Sequence, residues 1–202
     1  MSHNTWIHRI ARVGIRPLVK TPVTPNQITT LRLLGGLAAA AAFAEGSDAW
    51  RHWGAGIFLF SMILDRADGE LARLSGKTSS WGHKYDLVSD ALCNALAFFG
   101  LGVGLGAGMF GAWAWLMGAV AGLAIAAILW LVIKLEEQGG ERAGELQGAA
   151  GFDPDDAMLI VPIAVWLGFA EWLIAAAAVG APLFALFMVL KFRRGPADGA
   201  TA

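Results

Sequence analysis

Apolar residues run in long blocks along this chain, and short polar segments separate the blocks. Blocks of this length predict membrane-crossing helices at about 25–44, 49–74, 82–106 and 110–135. The last apolar block, 157–192, is too long for one span, so we divide it near residues 168–171 into a short fifth helix and a sixth. The pattern predicts an all-α integral membrane protein with six transmembrane helices.

The segment before the first block mixes apolar and basic residues. Over residues 4–20, Trp6, Ile7 and Ile10 lie among arginines and a lysine. This pattern is typical of an amphipathic helix in the lipid headgroup region, so we predict a juxtamembrane helix within residues 1–22. Thr24, Pro25 and Gln27 then predict a capped helix start. We treat residues 1–202 as one membrane domain that ends in a polar tail, 193–202.

Composition agrees with the membrane assignment. The chain is 56% hydrophobic and 15% charged, with a mean hydropathy of +0.57, whereas soluble domains carry about 25% charged residues. A net charge of −1 argues against nucleic-acid binding. The single cysteine, Cys93, excludes an intrachain disulfide, and residues 1–20 lack the apolar core of a cleavable signal.

The positions of lysine and arginine predict the orientation. With the N-terminus inside, 13 of the 15 basic residues fall on the cytoplasmic side, because only Arg32, within a span, and Arg51 do not. The positive-inside rule therefore predicts six spans with both termini in the cytoplasm.

Four aspartates stand out in this apolar setting. Asp65 and Asp68 are three residues apart, and Asp86 and Asp90 are four apart, so each pair shares one face of a helix. Four carboxylates brought together require cations to neutralise them. Candidate partners are Arg66, Arg73, Lys84 and metal ions. Oxygen ligands favour Mg²⁺ or Mn²⁺ over zinc, and two such ions suit phosphoryl transfer at the cytoplasmic edge of the membrane.

At these residues the chain resembles a known family. The pattern Asp65-x-x-Asp68-Gly69-x-x-Ala72-Arg73-x8-Gly82-x3-Asp86-x3-Asp90 is similar, at every defined position, to the signature of the CDP-alcohol phosphotransferases. Members of that family have six membrane helices after a juxtamembrane helix. They move a substituted phosphate from a CDP-linked donor to an alcohol and release CMP in phospholipid synthesis, commonly as homodimers.

The resemblance implies a role for each matching residue. Asp65, Asp68, Asp86 and Asp90 would hold two Mg²⁺ or Mn²⁺ ions, and Asp90 would also be the general base. The resemblance places the nucleotide and its phosphates at residues of the motif and near the first span, namely Gly69, Ala72, Arg73, Ser79, Gly82, Asn26 and Thr29. For Asn26 and Thr29, ordinary helix capping is an equal alternative.

The sequence leaves the substrates open. The resemblance favours CDP-diacylglycerol with a small polar acceptor such as glycerol phosphate, inositol or inositol phosphate, and a soluble CDP-alcohol with a lipid acceptor is the alternative. The acidic connection 136–156 contains no phosphate-binding cluster, and Asp153–Asp156 is either a hydroxyl contact or a helix cap.

Two other classes of protein compete with the transferase. A cation transporter would distribute its aspartates through the membrane, and a scaffold would pair them with arginines. Glycines at four-residue spacing, such as Gly100 and Gly104, predict close helix packing and are compatible with a dimer.

Overall fold

The protein is built from helices that follow the predicted blocks. The computed structural model describes residues 13–139 and 154–193. From residue 25 onward the described residues form α1 (Pro25–Glu45), α2 (Asp48–Ser75), α3 (Ser80–Gly104), α4 (Trp113–Gly139), α5 (Ile160–Trp166) and α6 (Ala170–Arg193). The predicted all-α class is confirmed, and each of these helices overlaps one predicted span.

Four of the helices are long and apolar enough to cross a membrane. They are α1, α3, α4 over Trp113–Lys134, and α6 over Ala170–Leu190. The helix α2 is 28 residues long but carries the charged motif. The apolar stretch Ala157–Trp166, which contains α5, rises only about 15 Å, half of a hydrocarbon core of about 30 Å. The fifth helix is short, as the sequence predicts.

Local signals set the helix ends. At the start of α1 the backbone N–H of Thr24 donates to Oε1 of Gln27 at 3.0 Å, and Pro25 is the first helical residue, as predicted. Gly46 and Gly76, with φ of 91° and 67°, end α1 and α2 in a left-handed conformation that glycine adopts without strain.

The connection between α3 and α4 is longer than the sequence predicts. The helix α3 ends at Gly104 and α4 begins at Trp113, so helix is absent from several residues assigned to the predicted spans 82–106 and 110–135. Successive backbone turns fill the gap, and Gly111 has a φ of 53°. Apolar residues in this connection made it indistinguishable from helix by hydropathy.

Helix α1 lies between α2 and α3 and packs against both, while α4 packs on α3, α6 on α4, and α5 on α2. A core of buried apolar side chains joins the helices and includes Phe43, Phe58, Leu101 and Ile174. The Oγ of Ser61 in α2 donates to the carbonyl oxygen of Arg32 in α1 at 2.9 Å. These contacts fix the position of α1 relative to the helices that carry the aspartates.

Two ends of the bundle can be distinguished. The start of α1, the end of α2 and the start of α3 meet at one end, which we call the motif end. At the opposite end, the backbone N–H of Met109, in the α3–α4 connection, donates to Oε1 of Glu171 at the start of α6 at 2.8 Å. Nε1 of Trp166, at the end of α5, donates there to the carbonyl oxygen of His52 at 3.2 Å.

Several predictions concern residues outside this description. Residues 13–15 are helical and Arg16–Leu18 form a 3₁₀ turn, but residues 1–12, which hold most of the predicted juxtamembrane helix, lie outside the described residues. The same is true of residues 194–202 of the predicted tail and of residues 140–153 of the acidic connection.

Candidate functional site

A cavity of about 380 Å³ opens at the motif end between α1, α2 and α3. Every residue to which the family resemblance gives a role lines this cavity: Asn26, Thr29, Asp65, Asp68, Gly69, Ala72, Arg73, Ser79, Gly82, Asp86 and Asp90. The remaining lining residues include Arg66, Glu70, Lys77, Thr78, His83 and Leu87. Two motif halves that are separated by a turn in the sequence therefore face one common space.

Three of the four aspartates converge closely. Asp65 and Asp68 from α2 and Asp86 from α3 each offer a carboxylate oxygen, and these oxygens all lie within 4.8 Å of one another. Asp68 is only 3% exposed. Carboxylate oxygens this close together are suitable ligands for a hard divalent cation such as Mg²⁺. The donor set thus fits the metal that the sequence predicts.

An arginine that the sequence analysis left without a role connects the aspartates. Arg32 of α1 is 2% exposed, and its Nη1 lies 2.9 Å from Oδ1 of Asp65 and 3.1 Å from Oδ1 of Asp86. Its Nη2 donates to Oδ1 of Asp90, which also accepts from Nδ2 of Asn94 at 3.0 Å. A buried charge in a membrane helix needs a partner, and that signal was present at Arg32 in the sequence.

The basic side chains that the sequence proposes as partners of the aspartates differ in what they contact. Nη1 of Arg66 lies 3.0 Å from Oδ2 of Asp65, so this pairing is present. Arg73 instead lies 2.5 Å from Oε1 of Glu70, which is 2% exposed. Lys84 is exposed. The sequence analysis did not assign a role to Glu70, although a glutamate three residues before an arginine on a helix forms a recognisable ion pair with it.

Thr29 contacts an aspartate directly. Its Oγ1 donates to Oδ2 of Asp68 at 2.6 Å and lies 3.2 Å from the carbonyl oxygen of Pro25, one turn earlier. The hydroxyl has one proton, so the shorter bond orients the carboxylate across the α1–α2 contact and competes with the bond to the backbone of the same helix.

Small residues shape the cavity in two ways. A Cβ added at Gly69 would meet nothing within 4 Å, so the absence of a side chain there leaves open space. A Cβ added at Gly82 would lie 2.9 Å from Oγ of Ser79 and 3.0 Å from Oδ1 of Asn26. Gly82 thus allows the starts of α1 and α3 to approach each other.

The turn between α2 and α3 is held at both sides. Oγ of Ser79 accepts from the backbone N–H of Gly82 at 3.0 Å and caps α3. Nζ of Lys77 donates to the carbonyl oxygen of Val23 at 3.1 Å and lies 3.4 Å from that of Thr21. These bonds join the turn to the segment before α1 and close one wall of the cavity.

Comparisons with known proteins find a family model and curated relatives that match this chain. The family model described as CDP-alcohol phosphatidyltransferase matches residues 22–184. A curated archaetidylinositol phosphate synthase of Pyrococcus horikoshii is 36% identical over 103 residues, which are 45% of this chain and 53% of the relative.

Two further curated relatives match shorter regions. A phosphatidylinositol phosphate synthase of Streptomyces avermitilis is 30% identical over 83 residues, 41% of this chain and 33% of the relative. A bifunctional IPC transferase and DIPP synthase of Rubrobacter xylanophilus is 37% identical over 89 residues, 44% of this chain and 20% of the relative. The chain thus spans about half the length of the first relative and less of the other two.

Proposed function

The chain belongs to the CDP-alcohol phosphatidyltransferase family, and from this membership we propose that it transfers a substituted phosphate from a CDP-linked lipid to a small polar alcohol and releases CMP. The observation that carries the proposal is the convergence of Asp65, Asp68 and Asp86 on a cavity that every motif residue lines. A scaffold whose acids only balanced arginines would not need this open space.

Four aspartates would bind the metal. We assign Asp65, Asp68, Asp86 and Asp90 to two divalent ions, Mg²⁺ or Mn²⁺, whose charge would polarise the attacked phosphorus and stabilise the leaving oxygen. Arg73 lines the same cavity and supplies charge-assisted hydrogen bonds to the phosphates. Glu70, buried beside it, orients its guanidinium.

Asp90 is the proposed general base. It accepts the proton of the acceptor hydroxyl while the hydroxyl oxygen forms a bond to the phosphorus that carries the lipid group. The bond from that phosphorus to the bridging oxygen breaks, and its electron pair leaves with CMP. Hydrogen bonds from Arg32 and Asn94 to Oδ1 of Asp90 fix the orientation of the carboxylate.

The remaining lining residues would contact the nucleotide. Gly69 and Ala72 leave space for it, and Thr29, whose hydroxyl donates to Asp68, would lie beside the phosphates. Ser79, Gly82 and Asn26 line the cavity where α1 and α3 begin. This placement suits the cytidine end of the donor, because the phosphates must lie by the carboxylates.

We propose inositol phosphate as the first acceptor to test, because two of the relatives are named as an archaetidylinositol phosphate synthase and a phosphatidylinositol phosphate synthase. CDP-diacylglycerol is the proposed donor. The reverse arrangement, with a soluble CDP-alcohol and a lipid acceptor, uses the same chemistry at the same carboxylates and is one of the outcomes that an assay distinguishes.

The proposal includes the membrane arrangement. We propose that residues 1–202 form one domain with six spans, a juxtamembrane helix within 1–22, both termini in the cytoplasm and the motif end at the cytoplasmic face. The distribution of lysine and arginine supports this orientation. Homodimerisation is proposed from the family resemblance alone, because Gly100 and Gly104 pack against α1 within the chain.

Release of CMP from the reconstituted full chain tests the function. CDP-diacylglycerol is supplied with inositol phosphate, inositol or glycerol phosphate, with Mg²⁺ or with a chelator, and a second series uses soluble CDP-alcohols with diacylglycerol. We expect metal-dependent CMP formation with one pairing and a new lipid headgroup in the product. If no pairing gives metal-dependent turnover, the transferase proposal is rejected, and the cation transporter becomes the hypothesis to test.

A further inference from the structure

Helix α1 touches all four aspartates through two side chains that lie one turn apart. Thr29 donates to Asp68, and Arg32 contacts the other three carboxylates, Asp65, Asp86 and Asp90. Neither residue belongs to the aspartate motif. The carboxylates come from two different helices, so α1 acts on the cluster as a separate third element.

The guanidinium of Arg32 has little access to water. The residue is 2% exposed, and the Oγ of Ser61 donates to its backbone carbonyl oxygen. A buried guanidinium is stable only when its N–H groups are bonded to acceptors. Its planar fork reaches several carboxylates at once, which a lysine ammonium cannot do to the same extent.

Arg32 contacts carboxylates that a divalent cation would also contact. Oδ1 of Asp65 and Oδ1 of Asp86 lie 2.9 Å and 3.1 Å from Nη1 of Arg32, and the same two residues belong to the group with metal-ligand spacing. A fixed positive charge at hydrogen-bond distance from the ligands repels an arriving cation. The same charge offsets the mutual repulsion of the carboxylates when no metal neutralises them.

We propose that Arg32 is a positioning residue and an internal counter-ion, which holds the carboxylates together without metal and weakens the affinity of the site for divalent cations. The proposal rests on the proposed function in one respect, namely that the aspartates bind such a cation. Its consequence is that the donor, whose phosphates carry negative charge, favours metal binding more strongly than the protein alone does.

Titration of the reconstituted full chain with Mn²⁺, without substrates, tests the proposal. Binding is followed by electron paramagnetic resonance and thermal stability by the unfolding midpoint. Compared with the wild type, Arg32→Met should unfold at a lower temperature in chelator, bind Mn²⁺ on the order of tenfold or more tightly, and gain a larger Mn²⁺-induced shift in Tm. Arg51→Met is the matched control, because Arg51 pairs with Asp48 at the opposite end of the bundle.

The outcomes separate the two proposals. If neither the wild type nor Arg32→Met binds Mn²⁺ or gains stability from it, even after CDP-diacylglycerol is added, the metal site and thus the proposed function are rejected. A wild type that responds, with an Arg32→Met variant that binds Mn²⁺ equally or more weakly, would overturn the counter-ion role alone.

A second variant keeps the test decisive if Arg32→Met does not fold. Recovery of Arg32→Met only when Mn²⁺ is present would support the proposal, because the cation then replaces the missing charge. If neither condition yields protein, Arg32→Lys decides the matter. It should unfold at a lower temperature than the wild type in chelator, and Mn²⁺ should narrow that difference. If the difference in unfolding temperature between Arg32→Lys and the wild type is the same with and without Mn²⁺, or is zero, the counter-ion role of Arg32 is contradicted.

Discussion

Asp90, the proposed general base, differs from the other three aspartates in its surroundings. It stands outside the group of three with metal-ligand spacing, and its Oδ1 accepts from both Arg32 and Asn94. These bonds fix the orientation of the carboxylate.

Asp90→Asn should lower kcat by about 10²–10⁴-fold, because an amide cannot accept the proton. The fold should persist, since Arg32 keeps its contacts with Asp65 and Asp86. CMP release and donor binding are measured together. Asp48→Asn is the control, because Asp48 also pairs with an arginine but at the opposite end. Near-normal turnover in Asp90→Asn would refute the base assignment and leave the family membership intact.

Gly69 allows stability and activity to be separated. Alanine is favoured over glycine inside a helix by roughly 0.5–1 kcal/mol, and a Cβ at Gly69 would enter open space in the cavity. We expect Gly69→Ala to unfold at the same or a higher temperature while its KM for the donor rises several-fold.

The control for this prediction is Gly180→Ala in α6, which likewise meets nothing within 4 Å but lies outside the lining of the cavity. It should gain stability without a change in KM. An unchanged KM in Gly69→Ala would remove Gly69 from the proposed donor site.

Spacing on a helix predicted the two aspartate pairs, because it determines which side chains share a face, and the family resemblance supplied the other lining residues predicted on α2 and α3. The sequence could not assign a role to Arg32. This residue is 54 positions from Asp86, and their contact depends on how α1 packs between two other helices, which the period of one helix does not encode. The spacing also could not distinguish Asp90, whose separate position depends on the same packing.

At the level of helices, glycines set the distance between α1, α3 and α4. A Cβ on Gly100 or Gly104 would collide with a backbone carbonyl oxygen of α1. On the other side of α3, a Cβ on Gly102 would lie 2.9 Å from the Cα of Gly118 in α4. The four-residue spacing therefore predicts close packing correctly, and the structure assigns these faces to contacts within the chain.

Gly100→Ala should destabilise the protein by about 1–3 kcal/mol, because backbone rather than a flexible side chain blocks the new methyl group. Separation of α1 from α3 should also move Arg32 away from Asp86, so activity should fall along with Tm. The control is Gly56→Ala, whose Cβ would make only an ordinary contact at 4.0 Å with Trp166. Equal thermal midpoints for Gly100→Ala and wild type would show that α1 and α3 tolerate separation.

Hydropathy predicted the positions of the helices better than their ends. The start of α1 carries a proline and a capping glutamine, so its boundary was recognisable. The α3–α4 connection is as apolar as the helices beside it, and there tertiary contacts such as Met109 with Glu171 decide where helix stops.

For the whole molecule, the orientation in the membrane can be tested with cysteine chemistry. Cys93 is 2% exposed, so it should not react with a membrane-impermeant maleimide. Lys84 at the motif end and Ala107 in the α3–α4 connection are both exposed. In sealed vesicles of known orientation, Lys84→Cys should label only from the cytoplasmic face and Ala107→Cys only from the other face.

The unsubstituted chain, which contains Cys93 as its one cysteine, measures background labelling. Modification of both variants from the same face would contradict the proposed arrangement of spans. Labelling of each variant from the face opposite to that expected would reverse the orientation and move the motif end away from the cytoplasm.

The described lining of the cavity comes entirely from residues between Pro25 and Asp90, so the last three helices contribute none of it. Those helices act on the carboxylates only through packing, chiefly of α4 against α3 and of α5 against α2. Exposed positions of α4 and α6, such as Leu123 and Leu183, can therefore change without moving a carboxylate of the cavity. Substitutions there should leave the metal dependence of CMP release unaltered.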